Sequence, residues 1–564
     1  VDTIFYDRDQ LTAKGAPDAT IMTNPASREI ALHLFRIRSE RNMLRMRWLV
    51  LALVALMLVV PVSAQIVPDE NTLVIAQSVD VGALEPALVG SRAEANIFSH
   101  IFGTLYDITE TGELAPFLAT GYTISEDGTE WTFTLNEGLT CHDGEALTAE
   151  DVAYTFQRAA NPDNAFTGNT VGFIFPSVGF VEARADSDLE VTIVTDRAQS
   201  EPLRLGLLSE VYIHCQDYYS SITLEQAAEA PVGSGPYQFV EWVRDDYVRL
   251  ERVEGYTLLD PAFQTLIWRV IPEASTRVAE LIAGNVDIVA NVPPDQAAAI
   301  DNSGTAMVQS VAGTRRMYVG FQFGEAYADA PGYEALQKTE VRVALQYAID
   351  VPTICSALLG TECTRASSMV NDPNGNPNLT PYPYDPAQAE ALLDAAGYPR
   401  GADGVRFSTV LMGPRGRYLN DANVVQAIGQ YLSDIGIQTE VQILDWSSEY
   451  VPRVRAKDVG PLFFLGTGGS TWSALYDMAD LSAPDAGTNY TNWQNETWFT
   501  LWDQTAGADA ETERALINEM LEVFYNDPPW LLLYFQPDFY GVSNRLDWQA
   551  RRDEQIMVYS ATLK

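Results

Sequence analysis

The chain has 564 residues, 47% of them apolar and 20% charged, too long for one hydrophobic core and too apolar for a disordered chain, so two or three globular domains are expected. Its formal net charge is -41, a surface that phosphate backbones and anionic headgroups would repel, which argues against a nucleic-acid partner and reads as solubility outside the cell or adaptation to salt. Acidity alone does not make the ligand a cation.

The first feature along the chain is a targeting segment. Arg36, Arg38, Arg41, Arg45 and Arg47 precede an apolar run from Trp48 to Val60, and Val62-Ser63-Ala64 puts small residues where a signal peptidase cuts. Basic, apolar, small is the order of a secretory signal peptide. The run is shorter than the ~20 residues of a membrane span, which leaves an uncleaved anchor as the lesser alternative. No cysteine stands at the cut, so a lipid anchor is not supported. The signal is placed at 43–64, and 1–42 is set aside as an overextended start or a short cytoplasmic tail. Export gives the four cysteines meaning, since disulfides persist outside the cytosol and four cysteines permit three pairings. Cys355 and Cys363 flank a short loop that a local bridge would close, which leaves Cys141 and Cys215 to each other; the alternative is four buried free thiols.

Thr72 to Gln77 is a short apolar run suited to a buried first strand, and Ser78 to Val89, with Gly82 and Pro86, is a loop. Ile97 to Tyr106 reads as a helix with Ile97, Ile101 and Leu105 on one face. From Gly112 to Arg158 a polar turn leads to a strand in which Trp131, Phe133 and Leu135 alternate with threonines. Asp143-Gly144 closes a tight turn, and Thr148 precedes Asp151 by three, a short-armed capping box opening a helix. This ordered set, Gly112, Leu114, Pro116, Leu118, Ala119, then His142, Asp143, Gly144, then Ala149, Glu150, Asp151, Val152, closely resembles the signature of the extracellular solute-binding proteins, family 5, that feed peptide and nickel ABC transporters.

The rest of the chain is consistent with that resemblance. Leu189 to Val194 is a strand, and Pro231 to Tyr237 (PVGSGPY) is similar to a second signature of the family. Gly233-Ser234-Gly235 lacks the lysine of a phosphate-binding loop and is read as a turn before strands Gln238 to Val243 and Tyr247 to Val253. A helix from Pro272 to Gly284 and a strand from Val286 to Ala290 form a βα alternation. Gly313 to Phe323 marks the crossing into a second lobe, although the family's Phe-Asn ending is here Phe321-Gln322. Glu340 to Gly360 reads as one helix, with Arg342 capping or pairing locally. Asp385 to Tyr398 and Val424 to Ile435 are helices, Gln438 to Leu444 a strand, and Leu462 to Asn489 a glycine-rich recognition segment. Glu511 to Tyr525 is a helix, and Trp530 to Phe535 a strand returning to the first lobe.

The resemblance implies an α/β, two-lobe periplasmic-binding-protein-like fold (type II, cluster C) with an extra subdomain in the first lobe. It divides the chain into lobe I (65–95, 205–312 and 529–564), the subdomain (96–204) and lobe II (313–528). It implies an exported, periplasmic or cell-surface, monomeric receptor that closes over a solute and hands it to ABC permease subunits. Peptide is the leading ligand, with an oligosaccharide or a metal complex as alternatives; eleven tryptophans would suit sugar stacking. By the same resemblance the ligand-binding candidates are Ser78, Val79, Arg316, Tyr318, Gln322, Trp446, Trp472 and Asp477. The spacing around Trp472 and Asp477 departs from the peptide-binding pattern. His100, His142 and His214 show no metal-ligand spacing and are read as structural, with no metal or cofactor expected. A secreted hydrolase is the competing class, but no G-x-S-x-G elbow or H-E-x-x-H occurs.

Overall fold

The computed structural model describes residues 66–109, 111, 113–200, 206–363, 365–371, 374–469, 473–484 and 486–564. The extension, the signal segment, Gly112 and Trp472 lie outside the described residues.

After β1 (Thr72–Gln77), a four-stranded antiparallel sheet is built from β2 (Ala119–Ile124), β3 (Glu130–Leu135), β4 (Phe180–Ala185) and β5 (Glu190–Thr195), in the order β2-β3-β5-β4. The chain then forms β6 (Tyr237–Val243), β7 (Tyr247–Arg252), β8 (Thr265–Val270) and β9 (Ile288–Val289), and crosses in the sixteen-residue β10 (Ala306–Phe321). β11 (Phe407–Arg415), β12 (Ile437–Asp445) and β13 (Leu462–Thr467) follow, and β14 (Trp530–Ser543) runs back. These strands make one ten-stranded sheet, β12-β11-β13-β10-β14-β9-β1-β8-β7-β6. β10 and β14 lie at its middle and pair antiparallel, so the first lobe (β6 to β9 with β1) and the second (β11 to β13) hang from one central pair.

The helices include α1 (Arg92–Ile101), α2 (Ala149–Ala160), α3 (Ala274–Ile282), α4 (Thr339–Ala348), α5 (Val351–Leu358), α6 (Pro386–Ala395), α7 (Asp421–Asp434), α8 (Val451–Arg455), α9 (Ala474–Met478) and α10 (Ala510–Asn526), and others such as Pro294–Ser303 and Glu496–Gln504 lie between them. α1 begins earlier than the apolar periodicity predicts, because Glu94 Oε2 accepts the Ser91 N–H at 2.7 Å and starts the helix there. It also ends earlier. Phe102 closes it, and Tyr106 belongs to a short strand, Tyr106–Ile108. The single helix expected from Glu340 to Gly360 is two, broken at Ile349-Asp350. Asp350 Oδ1 caps the second by accepting from Thr353 N (3.1 Å), and Pro352 supplies no N–H to continue the first. The return strand does not stop at Phe535 but continues to Ser543.

Both sequence signatures meet at one node that fixes α1. His142 N–H donates to Gly233 O (2.9 Å), Gly233 N–H donates to His142 Nδ1 (3.2 Å), and His142 Nε2 lies 3.0 Å from Gly235 O. Gly235 N–H bonds Ile101 O at 2.8 Å, the end of α1. A Cβ on Gly233 would stand 2.1 Å from that same oxygen, so the glycine is required by contact rather than by backbone angle. The Cys141–Cys215 disulfide (Cα–Cα 6.2 Å) ties the node to the start of the short helix Gln216–Ser221, and a second disulfide joins Cys355 and Cys363. α1 buries Ile97, Phe98 and Ile101 against Tyr237, Trp268 and Tyr540 in the first lobe's core.

Two outcomes are expected. His100 is fully buried, its Nδ1–H donating to Asn96 O (2.7 Å) and its Nε2 accepting from Val558 N (3.3 Å), and burial holds its pKa down to about 4. Between about pH 6.5 and 4 the unfolded chain takes up a proton that the native ring refuses, so stability falls with falling pH by roughly 1 kcal/mol per unit. Urea unfolding at pH 7 and pH 5 measures this, and His100→Gln should reduce the difference without abolishing it, because burial likewise holds His142 down to about 4. Separately, a Cβ on Gly313 would lie 2.3 Å from Gln536 O in β14, so Gly313→Ala should cost about 1–3 kcal/mol in the same assay.

Candidate ligand-binding site

The β10–β14 ladder is interrupted where the two lobes meet. Ala312 pairs with Pro537 and Arg316 with Phe535, and between them the register slips. Proline donates no ladder bond, which suits the break. Thr314 N–H finds its acceptor instead in Arg552 O, at 2.9 Å, so the C-terminal segment is drawn against the slip. That contact sets Glu554 beside Arg315: Nε to Oε1 is 2.5 Å and Nη2 to Oε2 is 2.8 Å. Arg417, from the second lobe, reaches the same carboxylate at 3.1 Å. Burial opposes ionisation of Glu554, but Arg315 and Arg417 win and hold its pKa well below the ordinary carboxylate range. Asp538 goes the other way. Burial and the Glu554 charge push its pKa well up, and its Oδ2 has no hydrogen-bond partner.

The slip opens onto a cavity of about 220 Å³ between the lobes, smaller than the roughly 300–1,000 Å³ that holds a drug-sized ligand. Phe98, Tyr212 and Phe173 face it from the first-lobe side, and Tyr418, Trp446 and Tyr490 from the second. Tyr418 and Trp446 pack edge to face at 5.6 Å, and Tyr418 Oη donates to Gly466 O (3.1 Å). Arg315, Arg316 and Arg417 line it with their charges compensated by Glu554, Asp477 and Asp480. Arg92 and Arg455 also line it, and neither side chain makes an ion pair or hydrogen bond among the described residues. Two acids complete the wall. Burial raises the Asp107 carboxyl to about 6, and Glu210 Oε1 accepts from Tyr476 Oη across the cleft at 2.5 Å. The cavity therefore offers available groups of both signs against an aromatic background.

Of the residues predicted from sequence, Arg316 and Trp446 line the cavity. Arg316 is 1% exposed, with Nη2 on Asp480 Oδ2 (2.7 Å) and Nη1 3.3 Å from Asp477 Oδ1. That pairing removes Asp477 from the wall: it is fully buried behind Arg316. Tyr318 stacks on Trp530 (3.9 Å between centroids) in the sheet. Gln322 is buried within the second lobe, donating to Tyr490 O (3.1 Å) and accepting from Gly324 N (2.9 Å) and Asn492 Nδ2 (2.7 Å). Ser78 and Val79 do not reach the cavity; Ser78 Oγ instead bonds Gly416 O of the other lobe at 3.0 Å. Sequence reasoning missed Arg92, Glu210, Arg417 and Arg455, which stand outside every recognisable motif. The capping box that starts α1 at Ser91 was the one signal that placed Arg92 at a helix end.

The histidines lie elsewhere: His214 Nε2 meets the buried Glu85 Oε1 at 2.8 Å, and Arg158 bonds the other oxygen at 3.0 Å. Among the described residues no group of three His, Cys, Asp or Glu could hold a metal ion. Nor is any described helix long and apolar enough to cross a membrane.

Known proteins bear on this arrangement. The glutathione-binding protein GsiB of Pectobacterium atrosepticum is 28% identical over 506 residues, 86% of this chain and 92% of the relative. GsiB of Salmonella typhi is 24% identical over 480 residues, covering 82% and 88%. In fold, the oligopeptide-binding protein AppA of Bacillus subtilis, solved with a nonapeptide, superposes with a TM-score of 0.77 at 20% identity over 87% of this chain and 99% of its own. DppA of Helicobacter pylori, in complex with the peptide STSA, gives 0.77 at 21% identity over 87% and 98%. NikZ of Campylobacter jejuni, in complex with Ni(L-His), gives 0.76 at 21% identity over 88% and 100%. These are two-lobed type II periplasmic binding proteins, and the fold here is theirs. With residues 113–489 matching the model of the bacterial extracellular solute-binding proteins, family 5 Middle, the chain belongs to the family 5 solute-binding proteins of ABC transporters.

Proposed function

We propose that this protein is an exported receptor that captures a short peptide by closing its lobes and presents it to the permease of an ABC importer. The carrying observation is the cavity: uncommitted guanidinium groups on Arg92 and Arg455 and carboxylates on Glu210 and Asp107 share one aromatic-walled space. A peptide is a zwitterion with apolar side chains and backbone donors and acceptors, so such a wall satisfies each part of it. The small volume suits a few residues rather than a long chain. The relatives named for glutathione, and the fold neighbours solved with peptides, point the same way. Export rests on the basic–apolar–small segment at 43–64.

Closure follows from where the contacts fall. A solute touching Arg92 on one lobe and Tyr418 on the other binds only the closed form, and shifts the population toward it. Going from mostly open to mostly closed takes about 5.5 kcal/mol of differential binding, and a micromolar ligand releases about 8.2 kcal/mol. The energy scale is sufficient.

A panel of di- and tripeptides, with maltooligosaccharides and Ni(L-His) as comparison solutes, tests this by thermal unfolding and small-angle scattering. A bound peptide at a hundred times its Kd should stabilise the protein by about 2.7 kcal/mol and reduce its radius of gyration. Stabilisation by the sugars or the nickel complex alone, or cleavage of any peptide, would remove the reading.

A further inference from the structure

We propose that the loop Gly416 to Leu419 is the latch of the closed receptor, and that Ser78 and Asp421 are positioning residues that set solute affinity without touching the solute. This rests on the hinged closure argued above and not on the solute being a peptide.

The loop follows β11 in the second lobe and is bonded from outside that lobe at three points. Gly416 O accepts from Ser78 Oγ, just past β1 of the first lobe, at 3.0 Å. Arg417 Nη2 donates to Glu554 Oε2 of the C-terminal segment at 3.1 Å. Leu419 N–H donates to Gln536 Oε1, in β14, at 3.1 Å. The same loop also faces the solute. Arg417 and Tyr418 line the cavity, with the Arg417 guanidinium 5.1 Å from the Tyr418 ring centre and 5.9 Å from that of Trp446. One short segment therefore carries both a wall that a solute contacts and bonds that join the lobes.

Its shape is imposed from within its own lobe. Asp421, the buried first residue of α7, accepts the backbone N–H groups of Gly416 (3.3 Å), Arg417 (2.9 Å) and Tyr418 (3.0 Å). Successive donors converging on one carboxylate fix the loop, because any other arrangement leaves them in want of an acceptor. Gly416 makes the turn at φ 97°, in the left-handed region that favours glycine. A Cβ there would meet nothing within 4 Å, so Gly416→Ala strains the backbone without a clash. Ser78 lies outside the cavity, and its hydroxyl bonds the loop.

Closure makes the test specific. In a receptor that is mostly open without solute, apparent affinity scales with the fraction closed. Weakening the latch then lowers affinity for every solute by one common factor, whereas losing a contact to the solute gives a factor that changes with the solute. The full chain is titrated calorimetrically with Ala-Ala, Ala-Phe, Ala-Ala-Ala, maltotriose and Ni(L-His). Ser78→Ala should bind each solute that the parent binds roughly two- to tenfold more weakly, the worth of one hydrogen bond, and by the same factor throughout. Gly416→Ala should also weaken binding by a common factor. Adding Ser78→Ala to it should change nothing further, because the carbonyl that Ser78 serves has moved. Urea unfolding of the solute-free protein should not tell Ser78→Ala from the parent, which separates a latch from a loss of fold. Undiminished affinity in Ser78→Ala, a factor that varies from solute to solute, or additive effects of the two substitutions overturns the latch and leaves the receptor standing. A common factor seen with maltotriose and Ni(L-His) but with no peptide supports the latch and removes the peptide reading. Silence toward all five solutes overturns both.

Discussion

The antiparallel pairing of β10 with β14, and its failure at Gly313 to Arg315, is the constraint from which the site follows. Two unbroken strands of this length would make a stiff, inert partition. The slip transfers one backbone donor from β14 to the C-terminal segment, and with it brings Glu554 to Arg315 and Arg417. Three guanidinium groups can then sit at the base of a cavity that excludes much of the water. An isolated charge there would be prohibitive, and removing one member of a buried pair costs about 3–5 kcal/mol. The acids are consequently structural requirements of the arginines. Exposed pairs such as Arg184–Glu130 contribute roughly 0–1 kcal/mol and decide nothing comparable.

Among the described residues, the direct bonds between the first-lobe side and the second include Ser78 to Gly416, Tyr476 to Glu210, Arg417 to Glu554, Arg197 to Asp503 and Gly487 to Gly172. A solute filling the aromatic cavity adds contacts to both sides at once, and those contacts exist only when the lobes meet. A ligand can tip such a balance, whereas a broad apolar interface would hold the lobes shut without one.

The fold was legible because family 5 carries its signatures at places where the backbone has no freedom. PVGSGPY and the His142 turn are recognisable for the same reason that they matter: Gly233 has Ile101 O where a side chain would be, and the His142 ring is held between two backbone groups. Local rules also read Thr148–Asp151 and Asp385 as helix starts, where both side chains do cap. Those rules misjudged α1 and the α4–α5 break, where a cap, not periodicity, sets the boundary. The site was far less legible. Arg316, on the crossing strand, and Trp446, just past the strand Ile437–Asp445, do line the cavity, whereas Tyr318 on the crossing strand and Gln322 just beyond its end are spent inside the protein. Arg92, Glu210, Arg417 and Arg455 come from separate segments of the chain, and nothing local distinguishes an arginine facing a cavity from one facing solvent.

The same distinction between local and global resolves the chain's charge. A formal -41 would suggest that an acidic solute is unwelcome, yet the cavity wall is rich in arginine. Surface charges act through water and salt, where fields fade over about 8–10 Å. Inside the cleft the effective dielectric is lower and each guanidinium acts at contact distance, so one uncommitted arginine outweighs many remote carboxylates. The acidic exterior governs solubility and repels anionic surfaces; the arginines around the slip govern which solute stays. Natural selection can therefore tune the two independently, because the residues that set the net charge are not those that the central strand pair turns inward.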